Sequence, residues 1–322
     1  MSKILITGGA GFIARYFVEK FPQDEVLLLD IREPDYSSHA QFVKGDIRNA
    51  EDVEKAMKGV DILIHLAAMH HDFGIADEEY FDTNSRGAEI IAQAAEKYGV
   101  KQIINFSSVA VYGNQGNPGP TNEEMAPSPL SPYGKSKLEA EGIFSRMAEK
   151  TEARLVTIRS TVVFGAWNLA NVLNLIKAID KGLYLHVGKG NNIKSIAYVE
   201  NIVAAAIFAL KLEEKGVCLF NYVDEPAMTS REIAELQAGL LGKKIRISIP
   251  LSMAIFLAWP FDLYIKVSGN NLSISSSRVK KFCTQTFHGA DKIRRLGFKP
   301  VVSIPDGMAK MIRWYTASKK IN

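Results

Sequence analysis

The feature that most restricts the fold is a series of short, continuously apolar segments separated by stretches of helical character. The apolar segments are "KILIT" (3–7), "EVLLLD" (25–30), "DILIHLAA" (61–68), "QIINFSS" (102–108), "RLVTIRSTVVFG" (154–165) and "LFNYV" (219–223). Stretches such as "EDVEKAMKG" and "AEIIAQAAEKYG" lie between them and are typical of helices. Strands that are apolar on both faces and alternate with helices favour a parallel sheet covered on both sides. We therefore predict an α/β fold with a doubly wound parallel sheet.

Charge and cysteine content narrow the class of protein. The formal net charge of the 322-residue chain is +4, which is too small to predict a nucleic-acid partner. Cys218 and Cys283 are the only cysteines, so no disulfide framework is expected and a reducing compartment fits. "MSKILITGG" contains neither the apolar core nor the cleavage site of a secretory signal. We expect a cytoplasmic protein.

The first apolar segment leads directly into a glycine-rich turn. "TGGAGFIA" (7–14) fits G-x-G-x-x-[G/A] when read from Gly9, with Ala14 in the last place. Such a turn lets a pyrophosphate approach the backbone at a helix N-terminus. Asp30 ends the next segment, where a carboxylate binds ribose hydroxyls and repels a 2′-phosphate. This favours NAD over NADP, although the nearby Arg32 weakens the preference and a purely structural glycine turn is the alternative.

Further cofactor contacts are expected where the following segments end. Asp46, in "GDIR", can accept a hydrogen bond from an adenine amino group, or it can simply form a turn. The small residues of "HLAA" (65–68) let a cofactor approach the backbone, whereas His65 is interpreted as a core histidine without a catalytic role. The residues predicted to bind NAD in these segments are Gly8, Gly11, Phe12, Ile13, Asp30, Asp46, Ile47, Leu66, Ala67 and Ala68.

The strand pattern weakens after about residue 165, which predicts a second, smaller domain. We expect a Rossmann-type NAD-binding domain of residues 1–165 plus about 196–225. A C-terminal substrate domain is expected over about 166–195 plus 226–322.

His70, His71 and Asp72 resemble a metal site at first sight. No further ligands recur at a spacing typical of zinc, so we interpret these residues as a loop and predict no metal.

Tyr133 and Lys137 stand four residues apart in "SPYGKSKLEAE" (131–141) and therefore share one face of a predicted helix. A free tyrosine has a pKa near 10, too high for a base at neutral pH. A nearby ammonium and the positive ring of an oxidised nicotinamide favour the phenolate, which the oxidation of a hydroxyl requires. A tyrosine followed four residues later by a lysine often occurs by chance. The alternative interpretation is a pair on a helix surface without a catalytic role.

Together with "NFSSVAVYG" (105–113), these motifs resemble, in their order and spacing, the extended short-chain dehydrogenase/reductase family of nucleotide-sugar epimerases and dehydratases. The resemblance covers essentially the whole chain. It implies that Tyr133 exchanges the proton of a sugar hydroxyl and that Lys137 holds the ribose and lowers the tyrosine pKa. It further implies that Ser108 donates a hydrogen bond to the reacting oxygen. Asn84, in "NSRG", matches a position near the nicotinamide and is a secondary candidate for cofactor binding.

The chain departs from this family at two places. Val109 and Ala110 stand where the 4,6-dehydratases carry the acidic pair that performs elimination, so dehydration is not expected. Lys194 and Ser195, in "KSIAYVEN", replace the usual Arg-Asp pair, which leaves a point charge without the arginine fork.

A closer resemblance is to the membrane-associated epimerases of undecaprenyl-diphosphate-linked N-acetylglucosamine in bacterial surface-polysaccharide synthesis. It lies in "SSVAVYG", "YGKSKLEAE", "TVVFG", "KSIAYVENIV", "FNYVDEP" and "SSSRVKKFC". Residues 247–261, "ISIPLSMAIFLAWPF", are uncharged, shorter than the roughly 20 residues of a spanning helix, and flanked by basic residues. Two interpretations stay open for this segment: a buried helix or part of a substrate pocket, and a patch that contacts the inner face of the cell membrane.

The resemblance thus implies an epimerase acting at carbon 4 of a diphosphate-linked hexose, with NAD that is bound and not consumed. The sugar is either lipid-linked or UDP-linked, and a 4-keto-sugar reductase or a sensing protein without activity are rivals. The residues expected to bind the substrate are Ser108, Tyr133, Asn171, Lys194 and Arg278, of which the last three are equally compatible with surface or capping roles. A homodimer through helix 135–149 is also compatible with the family, although its apolar residues fit a core equally well.

Overall fold

A computed structural model describes residues 1–70, 75–113, 119–212, 216–268 and 275–319. The strands are β1 (Lys3–Thr7), β2 (Glu25–Asp30), β3 (Gln41–Lys44), β4 (Ile62–His65), β5 (Gln102–Ser108), β6 (Arg154–Ser160), β7 (Val162–Phe164), β8 (His186–Val187), β9 (Ile196–Tyr198), β10 (Val217–Tyr222) and β11 (Ser248–Ile249). The α-helices are α1 (Phe12–Val18), α2 (Ala50–Met57), α3 (Asp77–Tyr80), α4 (Gly87–Tyr98), α5 (Pro132–Thr151), α6 (Asn171–Asp180), α7 (Val199–Lys211), α8 (Ser230–Leu240), α9 (Leu251–Ser268), α10 (Ser276–Cys283), α11 (Asp291–Arg295) and α12 (Ile304–Lys319). A π-helix spans Phe81–Arg86 and a 3-10 helix spans Val109–Tyr112.

Across the described residues, the main sheet has seven strands in the order β10-β6-β5-β4-β1-β2-β3, and all neighbouring strands are parallel. The predicted doubly wound fold is confirmed. The chain order reverses beside β1, because β2 and β3 lie on one side of it and β4, β5 and β6 on the other. Ligands of such sheets bind beyond the carboxyl ends of the strands at this reversal. The loops that follow β1 and β4 are therefore the first place to look for a site.

Helices cover both faces of this sheet. On one face α2, α4 and α5 enclose a continuous apolar cluster with side chains of β1, β2, β4, β5 and β6. On the other face α1 packs against α7, and the ring of Phe17 lies edge-on to Phe106 on β5. Burial on both faces explains why these strands are apolar without alternation.

The chain divides into two compact units. The first comprises Met1–Val163, Val199–Val223 and His288–Val301, and the second comprises Phe164–Tyr198, Asp224–Phe287 and Val302–Asn322. Residues 288–301 were expected in the C-terminal domain but belong to the first unit. The reason is local: Lys292 and Arg294 donate hydrogen bonds to the carbonyls of Leu219 and Val223, and Phe298 packs on Tyr222. This segment therefore covers the β10 edge of the sheet.

Within the second unit, α6 and α8 pack around Ile179, Ala234 and Ala238. Helix α8 begins at a capping box, in which the Thr229 hydroxyl accepts from the Glu232 amide and the Glu232 carboxylate accepts from the Thr229 amide.

Helix α9 carries its large apolar side chains on the outside. Ala254 and Ala258, one turn apart, are buried, whereas Phe256 is 75% exposed and Trp259 is 63% exposed. The other exposed large apolar residues of this helix are Leu251, Met253, Leu257, Phe261, Leu263 and Tyr264. The alternative of a buried helix for this segment is wrong, because most of its large apolar side chains are exposed, Ile255 and Ile265 are only half-buried, and the buried positions named above are alanines.

Candidate active site

The glycine turn after β1 is packed so closely that side chains are excluded. Gly8 has φ +71°, and a Cβ at this position would lie 2.7 Å from the Ala67 amide nitrogen. A Cβ at Gly9 would lie 2.6 Å from the Cβ of Leu28 on β2. The turn thus contacts both β2 and the loop that follows β4, and glycine is required at these positions because a Cβ would not fit.

Helix α1 follows this turn directly. Its N-cap is Gly11, which has no side chain to cap the helix, and its first turn contains Phe12 and Ile13 and no acidic residue. Asp30 at the end of β2 accepts hydrogen bonds from the Ala10 amide at 3.0 Å and from the Arg32 amide at 3.2 Å. The carboxylate predicted to bind ribose is therefore held directly beside the glycine turn.

Asp46 and Ile47 have protein partners of their own. The guanidinium of Arg48 binds the Asp46 carboxylate at 2.6 Å, and this hydrogen bonding holds the pKa of Asp46 below its ordinary value. Ile47 is buried and packs against the start of α4, where a Cβ at Gly87 would lie 2.8 Å from its Cδ1. The predicted contact of Ile47 with the cofactor stays a prediction, and its side chain is buried in the protein.

The loop that follows β4 is attached to β1. The Leu66 amide donates to the Thr7 carbonyl at 3.2 Å, and the Ala67 amide donates to the Thr7 hydroxyl at 3.4 Å. His65 is hydrogen-bonded to the same hydroxyl at 2.8 Å and lies against the ring of Phe144. Burial lowers the pKa of His65 to about 3, so the imidazole is neutral at physiological pH. Leu66, Ala67 and Ala68 thus extend from a fixed strand end, and His70 belongs to the same loop. His71 and Asp72, which follow it in the sequence, fall outside the described residues.

Asn84 lies on the π-helix and is buried. Its side-chain Oδ1 accepts from the Met69 amide at 2.8 Å, and its Nδ2 donates to the Met69 carbonyl and to the Ser136 hydroxyl, each at 3.0 Å. The side chain therefore links the loop after β4 to helix α5. Its predicted role beside the nicotinamide stays a prediction, because these contacts use both ends of the amide group.

Helix α5 presents Tyr133 and Lys137 from a well-defined start. Ser131 is the N-cap and its hydroxyl accepts from the Gly134 amide, while Pro132 occupies the first helical position. The Lys137 side chain is nearly fully enclosed, since the residue is only 3% exposed. Burial lowers the pKa of Lys137 to about 8, and the charge of Glu141 opposes this shift. The ammonium is therefore a buried positive charge one turn after the candidate base.

Ser108 lies at the end of β5, and its hydroxyl accepts from the Ala110 amide at 3.2 Å. The 3-10 helix that follows it packs against the first turn of α5, where a Cβ at Gly134 would lie 2.6 Å from the Ala110 carbonyl oxygen. Val109 and Ala110 are part of this tight turn. The fold thus places Ser108, Tyr133 and Lys137 on two elements that are in direct contact.

The three candidate substrate residues of the second unit differ in their surroundings. Asn171 begins α6 and is exposed. Arg278 lies in the first turn of α10, where its amide donates to the Ser275 hydroxyl. The Lys194 ammonium donates to the carbonyls of Lys281 and Thr284 at the carboxyl end of α10, and burial lowers its pKa to about 8. Substrate binding at these positions stays a prediction, and Lys194 has a helix-capping role that the sequence did not reveal.

Sequence reasoning missed several residues that build this site. Glu141 and Arg159 form a buried ion pair under α5, and Ser136 connects α5 to Asn84. Tyr36 donates its hydroxyl to the Gly9 carbonyl at 2.7 Å and so covers part of the glycine turn. The one available signal was the acidic Glu141 one turn after Lys137, on the same helix face.

These residues fit a dinucleotide. The turn lacks side chains where a pyrophosphate approaches the backbone, Asp30 is held beside it, and Lys137 supplies a fixed positive charge.

Comparison with known proteins agrees with this assignment. A model described as the NAD dependent epimerase/dehydratase family matches residues 4–221. The N-acetyl-alpha-D-glucosaminyl-diphospho-ditrans,octacis-undecaprenol 4-epimerase of Escherichia coli O157:H7 is 35% identical over 316 residues, 97% of this chain and 94% of that protein. The UDP-glucose 4-epimerase of Vibrio cholerae is 27% identical over 280 residues, 83% of each chain.

A solved structure shows the same fold over almost the whole chain. The UDP-glucose 4-epimerase of Thermus thermophilus in complex with NAD has a TM-score of 0.78 at 21% identity and covers 98% of this chain and 99% of that one. The expectation of NAD as cofactor is confirmed by the family match. Since that match spans well over half of the sequence, the chain belongs to the NAD dependent epimerase/dehydratase family.

Proposed function

We propose that this protein is an NAD-dependent epimerase acting at carbon 4 of a diphosphate-linked hexose. The observation that carries the proposal is the buried Lys137 ammonium one turn after Tyr133, on the helix that packs against the turn after Ser108. Bound NAD supplies an acceptor for the carbon-4 hydride and the donor for its return. The glycine turn, Asp30 and Lys137 are the residues that would hold it.

Tyr133 is the group that moves the proton in this proposal. As the phenolate it takes the proton of the carbon-4 hydroxyl, and as the phenol it gives the proton back to the keto oxygen. Lys137 makes the phenolate accessible at neutral pH because its positive charge lies nearby in a water-poor setting. Ser108 donates a hydrogen bond to the reacting oxygen and fixes the sugar in the reactive orientation.

Epimerisation is preferred over dehydration because the chain lacks the groups for elimination. Val109 and Ala110 form the turn after Ser108, and neither side chain can donate or accept a proton. In the 4,6-dehydratases that the chain resembles, an acidic pair at these two positions performs the elimination. The reaction that the residues support is therefore inversion of configuration at one carbon.

We propose that the sugar is carried by a lipid diphosphate, as in the name of the E. coli relative that aligns along 97% of this chain. The exposed apolar surface of α9 supports this proposal, since it would bring the enzyme to a membrane that carries such a substrate. Among the described residues, no helix is long and apolar enough to cross a bilayer.

The charges around α9 complement an anionic lipid surface. Lys243, Lys244 and Arg246 are exposed just before the helix, and Lys266 is exposed in its last turn. The only acidic residue of the helix, Asp262, accepts a hydrogen bond from the Ser276 amide. Basic residues around an exposed apolar helix are typical of segments that lie in the membrane interface.

A soluble UDP-sugar is the second candidate substrate, favoured by the 27% identity to the Vibrio cholerae UDP-glucose 4-epimerase. The two candidates differ in what carries the diphosphate and not in the chemistry at carbon 4.

A homodimer through α5 is also part of the proposal. Phe144 and Met147 lie in the core, which leaves the half-buried Leu138 and Ile143 for a partner, and sedimentation equilibrium measures whether one is bound.

The deciding experiment compares two substrates in parallel. Purified protein receives UDP-N-acetylglucosamine in one reaction and undecaprenyl-diphospho-N-acetylglucosamine in detergent in the other, and the released sugars are analysed for carbon-4 epimers. We expect conversion of the lipid-linked sugar without added reduced cofactor. Conversion of the UDP-sugar alone would contradict the lipid carrier, and stoichiometric oxidation of added NADH would indicate a reductase.

Tyr133→Phe supplies the internal control of this assay. We expect a loss of about 10²-fold or more in turnover with NAD still bound, because the proton transfer is removed and the ring is kept. Tyr98→Phe on α4 makes the same chemical change away from the site and should leave turnover unchanged.

A further inference from the structure

A buried carboxylate joins the three elements that surround the candidate catalytic residues. Glu141 lies one turn after Lys137 on α5 and is 7% exposed. It accepts a hydrogen bond from the Ser107 hydroxyl on β5. It also accepts from Nε and Nη2 of Arg159 on β6, at 2.9 and 2.7 Å. One side chain thus connects α5, β5 and β6.

Ser107 directly precedes the candidate catalytic Ser108. In the parallel register Ser107 lies opposite Arg159, so both side chains point to the face of the sheet that α5 covers. The Glu141 carboxylate therefore fixes the end of β5 relative to the helix that carries Tyr133 and Lys137. A displacement of this contact would move Ser108 relative to the other two residues.

The arginine of this pair is itself held in place. Its guanidinium lies over the ring of Tyr112 at 4.8 Å, and the Tyr112 hydroxyl donates to the side-chain Oδ1 of Asn221 at 2.8 Å. A buried ion pair gains little stability over apolar residues of similar size, because both charges lose their hydration. Its presence under the catalytic helix is therefore better explained by positioning than by stability.

The negative charge of Glu141 also acts on the Lys137 ammonium. The titratable groups around this ammonium include Tyr133 one turn before it on α5, Glu141 one turn after it on the same helix, and His65 from β4. Because His65 is neutral, Glu141 is the negative charge that favours the protonated form of Lys137 against the effect of burial.

We propose that Glu141 is a positioning residue for the epimerase reaction. Its negative charge stabilises the protonated form of Lys137, and its hydrogen bonds hold the end of β5, where Ser108 lies, against helix α5. The role rests on the proposed function for its effect on turnover. Its effect on Lys137 does not depend on any sugar and is measured separately.

The test uses Glu141→Gln, which keeps the shape of the side chain and removes its charge. Without this charge the pKa of Lys137 should fall by about 1 unit, so the alkaline limb of kcat/KM moves to lower pH by the same amount. Above that limb kcat/KM is then about ten-fold lower than in the unchanged protein. Glu149→Gln, an exposed carboxylate on the same helix, is the matched control and should leave the profile unchanged.

Two further measurements keep the proposal falsifiable. The double variant Glu141→Gln/Arg159→Gln removes both charges of the pair and so leaves neither of them buried alone. It replaces the single variant in the test if the single variant does not fold. NMR titration of protein labelled with ¹⁵N at the lysine Nζ, assigned with Lys137→Arg, reports the Lys137 pKa even in a protein that converts no tested sugar. A folded variant whose Lys137 titrates as in the unchanged protein overturns the proposal; a lowered Lys137 pKa together with a shifted pH profile supports it.

Discussion

At the scale of single residues, His65 shows how burial alone sets a charge state. The imidazole lies between the Thr7 hydroxyl and the Phe144 ring, and it is 1% exposed. Desolvation disfavours the charged form, and the positive Lys137 acts in the same direction. The side chain is therefore a neutral partner of the strand end and not an acid or base of the reaction.

This charge state predicts how stability depends on pH. The pKa of His65 is about 3 in the folded protein, below the ordinary value of 6.5, so the unfolded chain binds more protons between these values. Stability is therefore present above pH 6.5 and is lost as pH falls. We expect a loss of about 2 kcal/mol in the free energy of unfolding between pH 7 and pH 5 from this residue.

Urea unfolding at several pH values measures this loss. His65→Gln should flatten the pH dependence over this interval, whereas His39→Gln, which changes an exposed histidine, should not. An unchanged slope in His65→Gln would contradict the assignment.

At the scale of elements, helix α5 depends on two glycines that have opposite surroundings. Gly134, in the first turn, faces the Ala110 carbonyl so closely that a Cβ would lie 2.6 Å from its oxygen. Gly142, two turns further on, would place a Cβ 3.3 Å from the end of the flexible Arg146 side chain. The first glycine is required for packing and the second is not.

Alanine at each glycine separates packing from helix propensity. Gly134→Ala should push α5 away from the turn after Ser108, with a loss of about 1–3 kcal/mol in stability and a fall in turnover of about ten-fold or more. Gly142→Ala should keep turnover and stabilise the protein by about 0.5–1 kcal/mol. Thermal unfolding and the epimerase assay on both variants check this, and equal effects of the two changes would rule out the packing argument.

At the scale of the whole molecule, the exposed surface of α9 predicts partitioning to membranes. Vesicles with anionic lipid should bind the protein, and binding should fall as salt is raised, because Lys243, Lys244 and Arg246 are exposed. Flotation with vesicles of neutral and of anionic composition measures this. A protein that stays in solution with both compositions would refute the membrane contact.

Trp259→Glu tests whether the apolar side chains themselves are needed. It should weaken vesicle binding about ten-fold or more, since it replaces an apolar ring by a charge on the exposed helix. Leu183→Glu, at an exposed leucine outside α9, is the matched control and should bind as before.

The sequence by itself determined the features that depend on spacing along the chain. Continuous apolar segments predicted the parallel sheet, because strands buried on both faces cannot alternate. The glycine turn before α1 and the pair Tyr133 and Lys137 were found because their members are at most a few residues apart. These local relations hold in any fold that contains the same strand and helix.

Only the tertiary structure decided which distant residues meet. Nothing in the sequence placed Arg159 or Ser107 at the Glu141 carboxylate, or the Lys194 ammonium at the end of α10. The mostly apolar sequence of α9 looks the same whether the helix is buried or exposed, because its few polar residues do not mark out one face. Contacts between remote segments depend on the packing of the whole chain, which no local pattern records.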